Sequence, residues 1–244
     1  MADETILLQV EDGIAEITFN RPEKRNAFDP AMYQRFVDVL RAVRADADVG
    51  VVLLSGQGKD FCAGNDLEQF AAKTDWDPSE LADRTRTAST EIVHQLMECE
   101  KPIIAAVHGN AAGFGATMLL HCDVVVLDEA ARLHYPFIRL GLVPEAGATM
   151  LCAAKMGYLR AFALFTQDRP IAASEALKLN LASQVVNEGS SHEVALHEAT
   201  RLAALPREAL HALKRLMRRE SGSLSRHVSH EFEELAYRLA AFDR

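Results

Sequence analysis

The sequence predicts an α/β fold, and three observations carry that prediction. Compact aliphatic runs at residues 51–54, 103–107 and 124–127 have the length and continuity of buried strands. Between them lie segments whose apolar residues recur three and four apart, the period of a helix with one buried face. From Gly147 onward the pattern is mostly helical. Strands interleaved with helices in the first half are the mark of a layered α/β domain.

Taken in order, residues 5–10 and 14–19 are rich in β-formers, and Glu11-Asp12-Gly13 supplies the turn of a hairpin. A polar loop comes next, Asn20-Arg21-Pro22-Glu23-Lys24-Arg25-Asn26. Asp29 caps the next helix, with Pro30 in its first turn and Met32, Phe36, Val39, Leu40 and Val43 on its buried face. The strand at 51–54 ends in the loop signal Ser55-Gly56-Gln57-Gly58. Residues 71–78 break the helical pattern, and Ser79 opens an amphipathic helix that reaches about Glu98 and stops at Lys101-Pro102. The strand at 103–107 runs into a small-residue loop and a helix. Later, Ser174 caps one helix, Pro206 opens another, and the last runs from about Leu224 to Phe242. The expected organisation is a core over residues 1–190 and a helical C-terminal region over 191–244, serving as a lid or an assembly element. There is no internal repeat and no low-complexity segment.

Composition narrows the classes of function. With 244 residues, 49% of them hydrophobic and 25% charged, the chain has the mixture of a globular domain with a sizeable core. Its formal net charge of −9 opposes a phosphate backbone, so nucleic acid is not an expected partner. The four cysteines form no CxxC pair and have no histidine cluster at zinc spacing, so reduced thiols and no metal are expected. The start Met1-Ala2-Asp3-Glu4 lacks the basic residues and apolar run of a signal peptide. No apolar stretch approaches the ~20 residues of a membrane span. The expectation is a cytoplasmic protein without membrane contact.

Two loops are suited to presenting backbone amides. In Phe61-Cys62-Ala63-Gly64-Asn65-Asp66-Leu67 the small residues let a ligand approach the main chain, although an ordinary strand-to-helix turn reads the same way. Asp66 serves there as a brace or as the cap of a short helix beyond it. The second loop, His108-Gly109-Asn110-Ala111-Ala112-Gly113-Phe114-Gly115, leads into a helix near Phe114 that continues through Met118 and Leu119. Free N–H groups at a helix start favour negative charge, although close helix–strand packing also selects glycine. If the loops face each other, one donor from each makes an oxyanion hole for a thioester oxygen that gains charge as an enolate forms. The GxGxxG and Gly-Lys-Ser/Thr signatures of nucleotide loops are absent.

At these loops the chain resembles the crotonase superfamily of enoyl-CoA hydratases and isomerases. The resemblance is carried by Asn20-Arg21-Pro22 with Asn26-Ala27, by Phe61 to Leu67, and by Lys101-Pro102-Ile103-Ile104-Ala105-Ala106-Val107-His108-Gly109 running on through Ala112-Gly113-Phe114-Gly115 to Cys122-Asp123. Leu140-Gly141-Leu142-Val143-Pro144-Glu145 and Ala173-Ser174-Glu175-Ala176 extend it, so that it covers about residues 5–190. The resemblance implies a spiral of ββα units with a helical C-terminal region, assembled as a homotrimer or hexamer. It implies an acyl-CoA thioester substrate, with coenzyme A part of the substrate and no separate cofactor. It places the oxyanion donors on the amides of Ala63 and Phe114. It places coenzyme A against Lys24, Arg25, Ala27, Ala63, Gly64, Asn65, Asp66, Leu67 and Gly113.

Side chains decide which reaction such a site performs. The two-carboxylate hydratases of the family have glutamates at positions matching Thr117 and Phe137, and both are missing here. Neither residue is a useful base at neutral pH. Glu145 remains, in Val143-Pro144-Glu145-Ala146-Gly147; taken alone it also suits a helix start. The series Pro136-Phe137, Leu140-Gly141, Pro144-Glu145 resembles the Δ3,Δ2-enoyl-CoA isomerase branch, in which a glutamate at this position is the single acid/base. The expectation is therefore a 3-enoyl to 2-enoyl shift, within fatty acid metabolism, in a pocket lined by Thr117 and Phe137, with burial raising the Glu145 pKa. Hydration, thioester hydrolysis and a non-catalytic acyl-CoA-binding scaffold are the alternatives. His108, His121 and His134 read as structural, and Lys214-Arg215-Leu216-Met217-Arg218-Arg219 as a solvated helix face or a contact for phosphate or another subunit.

Overall fold

The computed structural model describes residues 5–66, 89–218 and 221–240. Strands β1 (Ile6–Glu11) and β2 (Ile14–Phe19) form the expected hairpin. Asp12 and Gly13 both take positive φ, 49° and 77°, which suits the tight twist of a two-residue turn. Helix α1 (Pro30–Ala45) is capped by Asp29, whose side chain accepts from the Met32 amide, and it turns Met32, Tyr33, Phe36, Leu40 and Val43 inward. Strand β3 (Val51–Gly56) then pairs parallel with β2. The expected start of a helix at Ser79 and the break at 71–78 lie outside the described residues; residues 89–98 are helical (α2).

Strand β4 (Ile103–Val107) leads through the short β5 (Asn110–Ala112) into helix α3 (Phe114–Thr117) and a 3-10 turn, Met118–His121. Strands β6 (Val124–Asp128) and β7 (Arg132–His134) come next, and then helices α4 (Ala148–Met156) and α5 (Tyr158–Thr166). The chain continues through β8 (Ile171–Ala172), α6 (Ala173–Lys178) and β9 (Gln184–Val186). It ends in α7 (Ser191–Ala203), α8 (Arg207–Met217) and α9 (Ser221–Ala240). Ser174 does not cap α6: that helix begins one residue earlier, with no side chain bonded to its first amides.

A six-stranded sheet runs β1-β2-β3-β4-β6-β9, parallel except for the first hairpin, and β5, β7 and β8 make a smaller second sheet. The central strands of the large sheet are apolar on both faces because both are covered. Val52, Leu54, Ala105, Val107, Val125 and Leu127 enter the main core with α1 and α2. Their neighbours Val51, Leu53, Ile104, Ala106 and Val126 face α7, through Ala195, Ala199 and Leu202. Burial is thus continuous across residue 190: α7 is a layer of the sheet, while α9 packs Val228, Phe232 and Leu235 into the main core. No helix among the described residues is long and apolar enough to cross a membrane. At the end of α8 and just beyond it, Lys214 and Arg218 pair with Asp123, and Arg215 pairs with Glu100.

Candidate active site

Three loops meet at the ends of β2, β3 and β4. The first holds Pro22–Lys24 in a 3-10 turn, with Arg25 and Asn26 at positive φ. Asn26 ties it to the second loop, its Nδ2 lying 2.9, 2.8 and 3.2 Å from the carbonyls of Gln57, Asp60 and Phe61. Arg21, almost wholly buried, pairs with Asp66 at 3.2 Å and Asp29 at 3.3 Å. Asp66 is therefore a brace between these loops. The side chain of Arg25 stays largely exposed, 3.6 Å from Asp60. The third loop joins the second by strand-like bonds, Cys62 N–H to Asn110 C=O at 3.1 Å and Ala112 N–H to Cys62 C=O at 2.9 Å. Gly64, at φ 91°, permits the contact: a Cβ there would lie 2.7 Å from the Ala112 oxygen and 3.3 Å from the Phe114 nitrogen. Gly113 stands across from it, and a Cβ on Gly113 would be 3.9 Å from the Gly64 Cα.

The Ala63 amide does not face an open site, which corrects the expected donor. Its N–H donates to the Arg25 carbonyl at 2.9 Å. The cause is the alternation of a strand-like segment, in which successive peptide groups point to opposite sides. Around Asn65 the alternation runs the other way. Phe28 N–H donates to Gly64 C=O at 2.7 Å and Asp66 N–H to Phe28 C=O at 2.9 Å, so the Asn65 N–H points away from Phe28. At this seam the amides of Asn65 and Phe114 have no acceptor among the described residues. Phe114 is free because it is the first residue of α3, ahead of any intrahelical carbonyl. Lys24, Arg25, Ala27, Gly64, Asn65, Asp66 and Gly113 are thus brought together here, and Leu67 lies outside the described residues.

Glu145 is 2% exposed, and Thr117 on α3 donates its hydroxyl to Oε1 at 2.6 Å. Burial pushes the carboxyl up to about 7 from its usual 4.5; the Thr117 bond works against that rise and the charge of Glu231 adds to it. Burial raises the Tyr33 phenol and the Cys62 thiol, and the Glu145 carboxylate adds to both shifts. Phe137 is buried at the start of the turn Ile138–Leu140.

The loop carrying Glu145 is held from behind. Ala146 and Gly147 take positive φ, 63° and 71°. His121 bonds the Ala146 carbonyl through Nε2 at 2.8 Å. Burial takes the His121 pKa down to about 4, so the ring is neutral at pH 7 and Nε2 carries the donated proton. Glu231, from α9, accepts from Gly147 N–H at 2.5 Å and Thr149 N–H at 2.9 Å, capping α4, and His227 bonds the Thr149 hydroxyl at 2.6 Å. Reading residues along the chain missed Glu231, because 84 positions separate it from Gly147. Its local signal is an acid on the buried face of α9, beside Val228, Phe232 and Leu235. His108 and His134 bond Gly58 C=O and Asp168 and serve the loops. Among the described residues no group of three His, Cys, Asp or Glu could hold a metal ion, and the four cysteines are buried and unpaired with one another.

This α/β architecture is that of a known enzyme family. The family model for enoyl-CoA hydratase/isomerase matches residues 9–239, and the chain belongs to that family. It is 32% identical to the 1,2-epoxyphenylacetyl-CoA isomerase of Escherichia coli (strain K12), over 98% of this chain and 92% of that protein. It is also 32% identical to the 2,3-dehydroadipyl-CoA hydratase of the same organism, over 87% of this chain and 81% of that protein. Among solved structures, an enoyl-CoA hydratase/isomerase from Pseudoalteromonas atlantica T6c superposes with a TM-score of 0.87 at 31% identity, covering 97% of this chain and 92% of that one.

Proposed function

We propose that the protein isomerises 3-enoyl-CoA thioesters to 2-enoyl-CoA thioesters, with Glu145 as the only acid/base. The observation that carries this reading is the Thr117–Glu145 pair. Where a second carboxylate would stand there is a hydroxyl, and it is engaged by Glu145. Glu145 removes a proton from C2, the C2–H electrons form a C1=C2 bond, and the C1=O electrons move onto the thioester oxygen. As the carbonyl re-forms, the C1=C2 electrons move into the C2–C3 bond and the C3=C4 electrons take up the proton at C4 from the same carboxyl. Charge that collects meanwhile on the thioester oxygen is received by the Asn65 and Phe114 amides. The proton count closes on one carboxyl and no water is consumed. Hydration needs a further group to position and activate water. Glu231 does not supply it, because both of its oxygens are engaged by the amides at the start of α4. A carboxyl poised near 7 is suited to giving and taking a proton at neutral pH.

The test is a spectrophotometric assay of 3-enoyl-CoA conversion beside 2-enoyl-CoA hydration. Conversion of the first without the second is expected. Glu145→Gln should lower isomerase kcat by about a hundred- to ten-thousand-fold, the usual contribution of general acid–base catalysis. The wild-type rate should rise with pH through about 7, since the base form is the charged one. Full activity in Glu145→Gln, or hydration as the faster reaction, rejects the reading.

A further inference from the structure

We propose that Tyr33 is a positioning residue that holds the Asn65 and Phe114 amides at one spacing and aim, by bonding the side chain of the first residue and packing its ring on the second. The inference rests on the enolate reading above and deepens it. Tyr33 lies in the first turn of α1, away from both loops in sequence, and is 1% exposed. Its hydroxyl donates to the Asn65 Oδ1 in a short hydrogen bond. Its ring lies 5.3 Å from the Phe114 ring, tilted by 42°. Phe28 completes the cluster, 5.1 Å from Tyr33 and 5.3 Å from Phe114, and its own backbone bonds the groups on either side of Asn65.

The hydroxyl is what sets Tyr33 apart from an ordinary core ring. A buried phenol is unfavourable without a partner, and a phenylalanine would fill much the same space. The acceptor here is the side chain of the residue whose N–H is open. With the Gly64 carbonyl and the Asp66 amide bonded to Phe28, the Asn65 side chain is the remaining freedom of that segment, and Tyr33 removes it. The phenol stays protonated because burial and the Glu145 carboxylate oppose its ionisation. One side chain is thereby coupled to both donors, whose joint geometry matters only when the thioester oxygen carries charge. Tyr33 should affect kcat and leave ground-state binding of the coenzyme A portion unchanged.

The experiment compares wild type, Tyr33→Phe, Asn65→Ala and the double variant in three readouts. Isomerase kcat and KM are measured on a 3-enoyl-CoA, the pH–rate limb is recorded, and the absorption maximum of bound 4-(dimethylamino)cinnamoyl-CoA reports polarisation of the thioester carbonyl. The expected result is a kcat about tenfold lower in Tyr33→Phe, a small fraction of the hundred- to thousand-fold effect of losing a whole donor. KM and the pH limb should stay in place and the red shift of the bound chromophore should shrink. Asn65→Ala should match Tyr33→Phe, and the double variant should fall no further, because both remove one bond. A Tyr33→Phe enzyme with undiminished kcat and red shift overturns the proposal, as does full additivity in the double variant. If Tyr33→Phe does not fold, Asn65→Ala breaks the same bond from the loop side and decides by the same criteria. If the wild-type protein proves to be no isomerase, the chromophore shift and its dependence on Tyr33 are still read, so failure of the functional assignment and failure of the positioning role are told apart.

Discussion

Glu145 is poised between two opposing influences: burial disfavours its charge, and the Thr117 hydroxyl supports it. That balance can be tested. Thr117→Val removes the donor at nearly constant volume and should move the rising limb of the pH–rate curve to higher pH. At pH 7 the rate should fall by up to about tenfold, the equivalent of one charge-assisted hydrogen bond of about 1.5 kcal/mol, and it should recover as pH rises. An unmoved limb would separate Thr117 from proton transfer. The sequence alone identified Glu145 by its motif and Thr117 by its position, but it treated Thr117 as a mere lining residue. The hydroxyl's direction depends on α3 and the Glu145 loop meeting across 28 positions. The donor assignment failed for a similar reason. Ala63 and Asn65 are two residues apart, and only their pairing with Arg25 and Phe28 decides which amide is open.

The elements contribute by holding this geometry. Helix α9 reaches back to cap α4 with Glu231, which bonds the amide two residues beyond Glu145. Glu231→Ala leaves the buried Gly147 amide and the half-buried Thr149 amide without their acceptor and should cost about 1–3 kcal/mol in urea denaturation. Glu233→Ala, two residues along on the exposed side of the same helix, should stay within about 0.5 kcal/mol. Equal effects would mean that the cap contributes nothing. Helices and long strands were legible because their burial is periodic or continuous, as with Asp29 ahead of α1 and the apolar β3 and β4. The short strands β5, β7, β8 and β9 were not, because two or three residues carry no period and are strands only through their neighbours.

For the molecule as a whole, an acid held near pKa 7 weakens the fold. The folded state keeps the Glu145 proton up to about pH 7, while the unfolded chain releases it near 4.5. Between those values the folded state binds more protons, so its stability falls as pH rises and levels off above 7. The full effect is on the order of 3 kcal/mol, from the size of the shift. Glu145→Gln removes it, whereas Glu231 titrates in both proteins. From pH 5 to pH 8, the stability of Glu145→Gln relative to wild type should therefore improve by that amount, measured by chemical denaturation at each pH. A difference independent of pH would contradict the raised carboxyl.

By itself the sequence determined the α/β class, the main strands, the loop motifs and the family, because these come from local periodicity and ordered short patterns. Tertiary structure alone decided which amides are open, that Thr117 bonds Glu145, that Glu231 caps the loop behind it, and that Tyr33 touches both Asn65 and Phe114. Each of these depends on groups far apart in the chain being placed within one hydrogen bond or one ring contact of each other. Only the packing of the sheet, α1, α3 and α9 around one core supplies that proximity.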